Sequence, residues 1–167
     1  MTLRFLLDTN ILSEPLRLRP DEGVMARLKL HERELCTAAP VWNELMFGCA
    51  RLPDGPKKRA LREYLNDVVR PAIAVLSYDV AAASWHAEER ARLQSIGKTP
   101  PFVDGMIAAI ACTHGLTLVT NNVSDVEGFD GLLFERWHGT ATPATPTTTP
   151  TTTTPTTTTP TTPTTKG

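Results

Sequence analysis

Acidic residues recur where the chain leaves a strand or enters a helix. Asp8 ends the apolar run of "LRFLLD", Glu44 lies in the first turns after "CTAAP", and Asp104 lies in the first turns of "PPFVDGMIAAIACTHG". Asn122 and Asp125 follow the run "LTLVT". Several carboxylates brought into one cleft cannot all stay ionised without a counter-charge. A hard divalent cation is the usual solution, Mg²⁺ taking carboxylate oxygens and water. One or two such ions polarise a phosphoryl oxygen, deprotonate a water and steady the leaving oxygen, so the pattern suggests phosphodiester hydrolysis. Simple capping is the competing reading. Asp8 and Asn10 have the residue types of helix caps, worth about 0.5–2 kcal/mol, and Glu44 and Asp104 are first-turn acids favoured by the helix dipole at roughly 0.3–1 kcal/mol. Spacing leaves both open. Asp104 tilts the balance, because its helix is nearly apolar all round, and an unpaired carboxylate buried there needs a partner or a metal. Gly105, Ala108 and Ala109 are small enough to let that helix approach a sheet closely.

The elements that must position these residues follow from the hydrophobic pattern. Leu3 to Leu7 reads as a buried strand, followed by a helix over 10–16 and another opened by Pro20, Asp21 and Glu22. "ELCTA" is strand-like, and Pro40 starts a helix through "VWNELMFGCARL". Lys57 to Val69 is amphipathic, with Leu61, Leu65, Val68 and Val69 inward. "AIAVLSYD" reads as a second strong strand, before a long helix from Val80 to about Ser95 closed by Gly97. "LTLVT" is another strand, "NNVSDVEGFDG" a polar loop and "LLFERW" a last short strand. Alternating strands and helices predict a parallel sheet with helices on both faces, which binds ligands at the carboxyl ends of its strands.

Residues 1–138 suit one domain with its own core. Residues 139–167 are almost wholly Thr and Pro, a low-complexity tail without the apolar side chains to repay ordering, and are expected to be disordered. The N-terminal apolar run is too short for a signal peptide and no stretch approaches a membrane span. The net charge of −1 points to neither a nucleic-acid binder nor a membrane-surface protein through global electrostatics, so an anionic substrate needs a local patch or bound cations. Three cysteines without CxxC spacing, Cys36, Cys49 and Cys112, sit in apolar stretches and suggest reduced thiols in the cytosol.

At the acidic positions the chain resembles the PIN-domain ribonucleases, in particular VapC-type toxins of bacterial toxin–antitoxin pairs. "LLDTNILSE" is similar to the opening motif, "PVWNELMFG" to the second, and "PFVDGMIAAIACTHGLTLVTNN" to the third and fourth together. The resemblance implies a three-layer α/β/α sandwich on a mainly parallel twisted sheet. It also implies an endoribonuclease dependent on Mg²⁺, with Mn²⁺ as a substitute. Asp8, Glu44 and Asp104 would hold the metal, and a metal-activated water would attack the RNA phosphate. Family members often carry a fourth acid where Asn122 stands here, with Asp125 three residues on as the other candidate ligand. Thr9 and Thr120 would orient carboxylates or water, or serve as ordinary strand-end hydroxyls. A small antitoxin and a second copy of the chain are the implied protein partners, and the cytoplasm the implied compartment.

No substrate-binding residue can be assigned from the sequence. Lys57, Lys58, Arg59 and Arg62 form a basic helix face that reads as solvated. His114, near a helix end, reads as a dipole partner, and Trp42, Trp85 and Trp137 as core or interface. Two other functions are carried alongside the ribonuclease: a non-catalytic module binding a cation and a partner protein, which Asn122 in place of an acid favours, and a DNA-directed nuclease of the same fold.

Overall fold

A computed structural model of the chain describes residues 2–139. The expected disorder of the Thr/Pro tail concerns residues 139–167, of which 140–167 lie outside the described residues. Five strands form one sheet: β1 Phe5–Leu7, β2 Leu35–Ala38, β3 Ala74–Leu76, β4 Thr117–Val119 and β5 Leu133–Glu135. Every pairing is parallel, in the order β3-β2-β1-β4-β5. The strands β1 and β2 are buried at every position, as a sheet covered on both faces requires.

Among the described residues eight α-helices connect and cover the strands: α1 Thr9–Leu12, α2 Glu22–Leu30, α3 Ala39–Arg51, α4 Pro56–Glu63, α5 Arg70–Ala72, α6 Val80–Ser95, α7 Phe102–Thr113 and α8 Val123–Val126. The strand order reverses direction beside β1, running outward to β3 on one side and to β5 on the other. Right-handed crossovers therefore put helices on opposite faces, giving the expected α/β/α layering. Local chemistry sets the helix ends. Asp21 and Asp79 cap α2 and α6 by accepting from the amides of Val24 at 3.0 Å and Ala82 at 2.9 Å. Gly97 and Gly115, at φ 74° and 64°, turn the chain out of α6 and α7.

Four details differ from the sequence pattern. Helix 10–16 is interrupted, α1 being followed by a 3₁₀ turn Glu14–Leu16, where Pro15 lacks an amide hydrogen for a continuous α-helix. The helix from Lys57 to Val69 becomes a π-helical segment at Tyr64–Val69; there Leu65 and Val69 are buried and the Tyr64 hydroxyl donates to the Leu12 carbonyl at 3.0 Å. The segment read as a second strong strand is a three-residue edge strand, β3, with Ala74 and Val75 exposed. Its terminal Asp79 is a helix cap. The polar loop after β4 contains α8.

The core runs along the sheet and closes at the last strand, where Trp137 is fully buried and meets Phe5 edge-on at 5.3 Å. Just beyond it, the His138 imidazole lies 2.8 Å from Glu14. Glu14 is itself buried and also accepts from the Asp21 amide at 2.7 Å. The three cysteines are free thiols, and burial pushes Cys36 up to about 12. No described helix is long and apolar enough to cross a membrane.

Candidate active site

The sheet reverses between β1 and β4, and the residues after those two strands meet at their carboxyl ends. Asp8 follows β1, its amide donating to the Val119 carbonyl of β4 at 3.0 Å. Its carboxylate is 8% exposed overall and accepts three hydrogen bonds. The Thr9 amide donates to Oδ1 at 2.7 Å, while the Asn10 side-chain amide and the Thr120 hydroxyl donate to Oδ2 at 2.8 and 2.6 Å. The cap and the site are thus one residue: Asp8 is the N-cap of α1 and its charge also acts on Asp104. Asn10, read from sequence as a cap, instead spans the two strand ends. Its Nδ2 also contacts the Thr120 hydroxyl at 3.3 Å, and its Oδ1 accepts from the Asn121 amide at 3.0 Å.

Glu44 stands on α3, exposed, with Oε2 held by the Thr9 hydroxyl at 2.6 Å. Asp104 lies half-buried in the first turn of α7. Burial first, and then the charges of Asp8, Asp125 and Glu44, push its carboxyl up to about 6. These four acids therefore share one electrostatic neighbourhood, and among the described residues no ion pair relieves any of them. Asn122 is placed differently. Its side chain is exposed and makes no capping bond, and its contact with the site is a backbone amide donating to Thr120 at 3.0 Å. Asp125, in the first turn of α8, is the residue after β4 whose charge reaches Asp104. It also lines an open cleft of about 370 Å³ with Lys98, Thr99, Pro100, Ser124 and Phe129.

The donor set has the chemistry of a hard-cation site, being all oxygen and multiply negative, with no ion pair to its acids among the described residues. The carboxylates share a field without forming a closed cage: among the described residues no group of three or more His, Cys, Asp or Glu is drawn close enough to hold an ion.

One of the small residues of α7, Gly105, serves a different contact from the one expected. A Cβ on Gly105 would lie 2.2 Å from Nε2 of His86, so this glycine admits α6, not the sheet. His86 is buried, its other ring nitrogen 3.0 Å from the Tyr78 hydroxyl. This contact sets how α7, and with it Asp104, sits beside α6. His114 caps α7 with Nδ1 3.0 Å from the Ile110 carbonyl, as its position implied. On the basic face of α4, Lys57, Arg59 and Arg62 are exposed, and Lys58 pairs with Asp54 at 2.9 Å.

Comparisons with known proteins bear on the family and the fold. The model of the family described as PIN domain matches residues 5–124. Toxin FitB of Neisseria gonorrhoeae is 38% identical over 136 residues, covering 80% of this chain and 98% of the relative. The tRNA(fMet)-specific endonuclease VapC of Shigella flexneri is 35% identical, covering 81% of this chain and 98% of the relative. Among solved structures, FitAcB from Neisseria gonorrhoeae superposes with a TM-score of 0.73 at 35% identity, covering 78% of this chain and 96% of that one.

Proposed function

The chain belongs to the PIN-domain family, and from that membership we propose that it is the endoribonuclease toxin of a toxin–antitoxin pair, hydrolysing RNA phosphodiester bonds with Mg²⁺ or Mn²⁺. The observation that carries this reading is the cluster of acids at the strand switch: burial first, and then the charges of Asp8, Asp125 and Glu44, raise Asp104 to about 6. Asp8, Glu44 and Asp104 would hold the cation, and Asp125 adds negative charge on the α8 side. A divalent cation held there would supply Lewis-acid polarisation of the phosphate and a water of lowered pKa.

The chain's own residues set the stage for that chemistry. Three donors fix the Asp8 carboxylate in one orientation, and Thr9 aligns Glu44 from the neighbouring helix. Burial and the neighbouring acids raise the Asp104 carboxyl to about 6, and a bound cation would favour its ionised form. The cleft beside Asp125 has room for a nucleotide, with Lys98 to meet a phosphate. A small antitoxin, a second copy of the chain and a cytoplasmic setting complete the proposal; the antitoxin is supported by a relative named as a toxin.

The open arrangement of the carboxylates favours the second reading, a module that binds a cation and a partner without cleaving. Expression in a bacterial host separates the two. A toxin ribonuclease arrests growth, and Asp8→Asn lifts the arrest. A binding module takes up Mg²⁺ in titration with no effect on growth.

A further inference from the structure

The register of the sheet places a cation beside the acids. Leu7 pairs with Val119 and Val119 with Glu135, so Asp8, Thr120 and Arg136 are the next residues along three neighbouring parallel strands. Arg136 therefore stands at the same sheet edge as Asp8, two strands away, or roughly 10 Å at the usual strand spacing. Its side chain is exposed, and its Nε donates to Oδ1 of Asn121 at 2.9 Å. The Asn121 amide donates in turn to Asn10, whose side chain holds Asp8. The guanidinium is thus registered to the Asp8 carboxylate through successive hydrogen bonds.

Its partner sets this arginine apart from those in ion pairs. Arg17, Arg27, Arg33 and Arg92 are each paired with a carboxylate. Arg136 is held by a neutral amide oxygen, and its two terminal nitrogens make no hydrogen bond or ion pair among the described residues. A guanidinium anchored through Nε presents its outer nitrogens as a fork suited to two phosphate oxygens. A site lined by four acids repels a polyanion everywhere except where a cation stands. We propose that Arg136 binds a backbone phosphate of the RNA flanking the scissile bond, a contact that draws the strand across the acidic edge. The assignment rests on the ribonuclease reading.

Steady-state cleavage of a short single-stranded RNA by the full chain with Mg²⁺ tests it. Arg136→Ala is expected to raise KM about tenfold, the loss of about 1.4 kcal/mol of phosphate binding, with kcat within about twofold of the parent. The slope of log kcat/KM against log salt falls by about 0.7, the contribution of one phosphate contact on a single strand. Arg136→Gln, able to keep the Asn121 bond without the charge, should match Arg136→Ala, and Arg136→Lys should recover the slope. Unchanged KM and slope in both neutral variants overturn the proposal. A parent protein that does not cleave counts against the ribonuclease reading, and fluorescence anisotropy of labelled RNA then makes the same comparison. Equal RNA affinity in the parent and Arg136→Gln overturns the Arg136 assignment in that case too.

Discussion

The hydroxyl of Thr120 donates a 2.6 Å hydrogen bond to Oδ2 of Asp8, although the two residues are 112 positions apart in the chain. The bond crosses from β4 to β1 at the point where the sheet reverses. The same hydroxyl oxygen accepts from the Asn122 amide at 3.0 Å, so one buried oxygen couples the acid to the start of α8. Thr120→Val keeps the shape and removes the donor and acceptor. RNA cleavage should fall about 10–100-fold, the usual cost of losing a group that orients a metal-ligating carboxylate. Stability should fall by about 1–3 kcal/mol, because the Asn122 amide loses its acceptor. Thr120→Ser should recover most of both in parallel kinetic and urea-unfolding measurements.

Helix α7 should be as sensitive to a single methyl group. Gly105→Ala puts a Cβ 2.2 Å from Nε2 of His86, which is buried, so the imidazole or the helix must shift. The expected destabilisation is about 1–3 kcal/mol, the range for overpacking a filled interior. Combining it with His86→Ala should cost less than the sum of the two single changes, since the clash is then gone. Strict additivity in a double-mutant cycle would remove the contact as the reason for the glycine.

The raised carboxyl of Asp104 predicts a pH dependence of definite sign. Its folded-state pKa of about 6 lies above the ordinary value of 3.8, so the folded protein binds the proton more tightly than the unfolded chain. That stabilisation is complete below the ordinary value and is lost as pH rises through about 6. Without divalent cations, Asp104→Asn should therefore melt higher than the parent at pH 7, and the gap should narrow towards pH 4.5. Mg²⁺ should raise the melting temperature of the parent at pH 7 and do little for Asp104→Asn. Calorimetry of Mg²⁺ binding near pH 6 should also register proton release. A parent that melts higher than Asp104→Asn at pH 7 without cations would contradict the electrostatic account.

Much of this arrangement is written in local sequence. The apolar run ending at Asp8 marks a buried strand, because a fully covered parallel strand has no polar face to reveal. The Thr-Pro start and Gly stop frame α7 and place Asp104 in its first turn, since Pro and Gly act on the backbone at their own positions. What could not be read depends on contacts between distant segments. Asn10 has the composition of a cap, and only the pairing of β1 with β4 reveals that its amide joins Asp8 to Asn121. Gly105 promises a close approach, but a helical pattern does not say which neighbour approaches, and here it is His86 of α6. Arg136 carries no local signal at all. Its place beside Asp8 follows from strand order and register, which the hydrophobic pattern leaves open.

The central claim is that the carboxylates at the strand switch act together as a metal-dependent ribonuclease centre. Digestion of total cellular RNA by the purified full chain tests it directly, with Mg²⁺, with chelator, and with Asp8→Asn in place of the parent. Discrete cleavage by the parent with Mg²⁺, reduced to background by chelator and by Asp8→Asn, is the predicted result. No cleavage of any RNA with the metal present, or cleavage that survives Asp8→Asn, would contradict it.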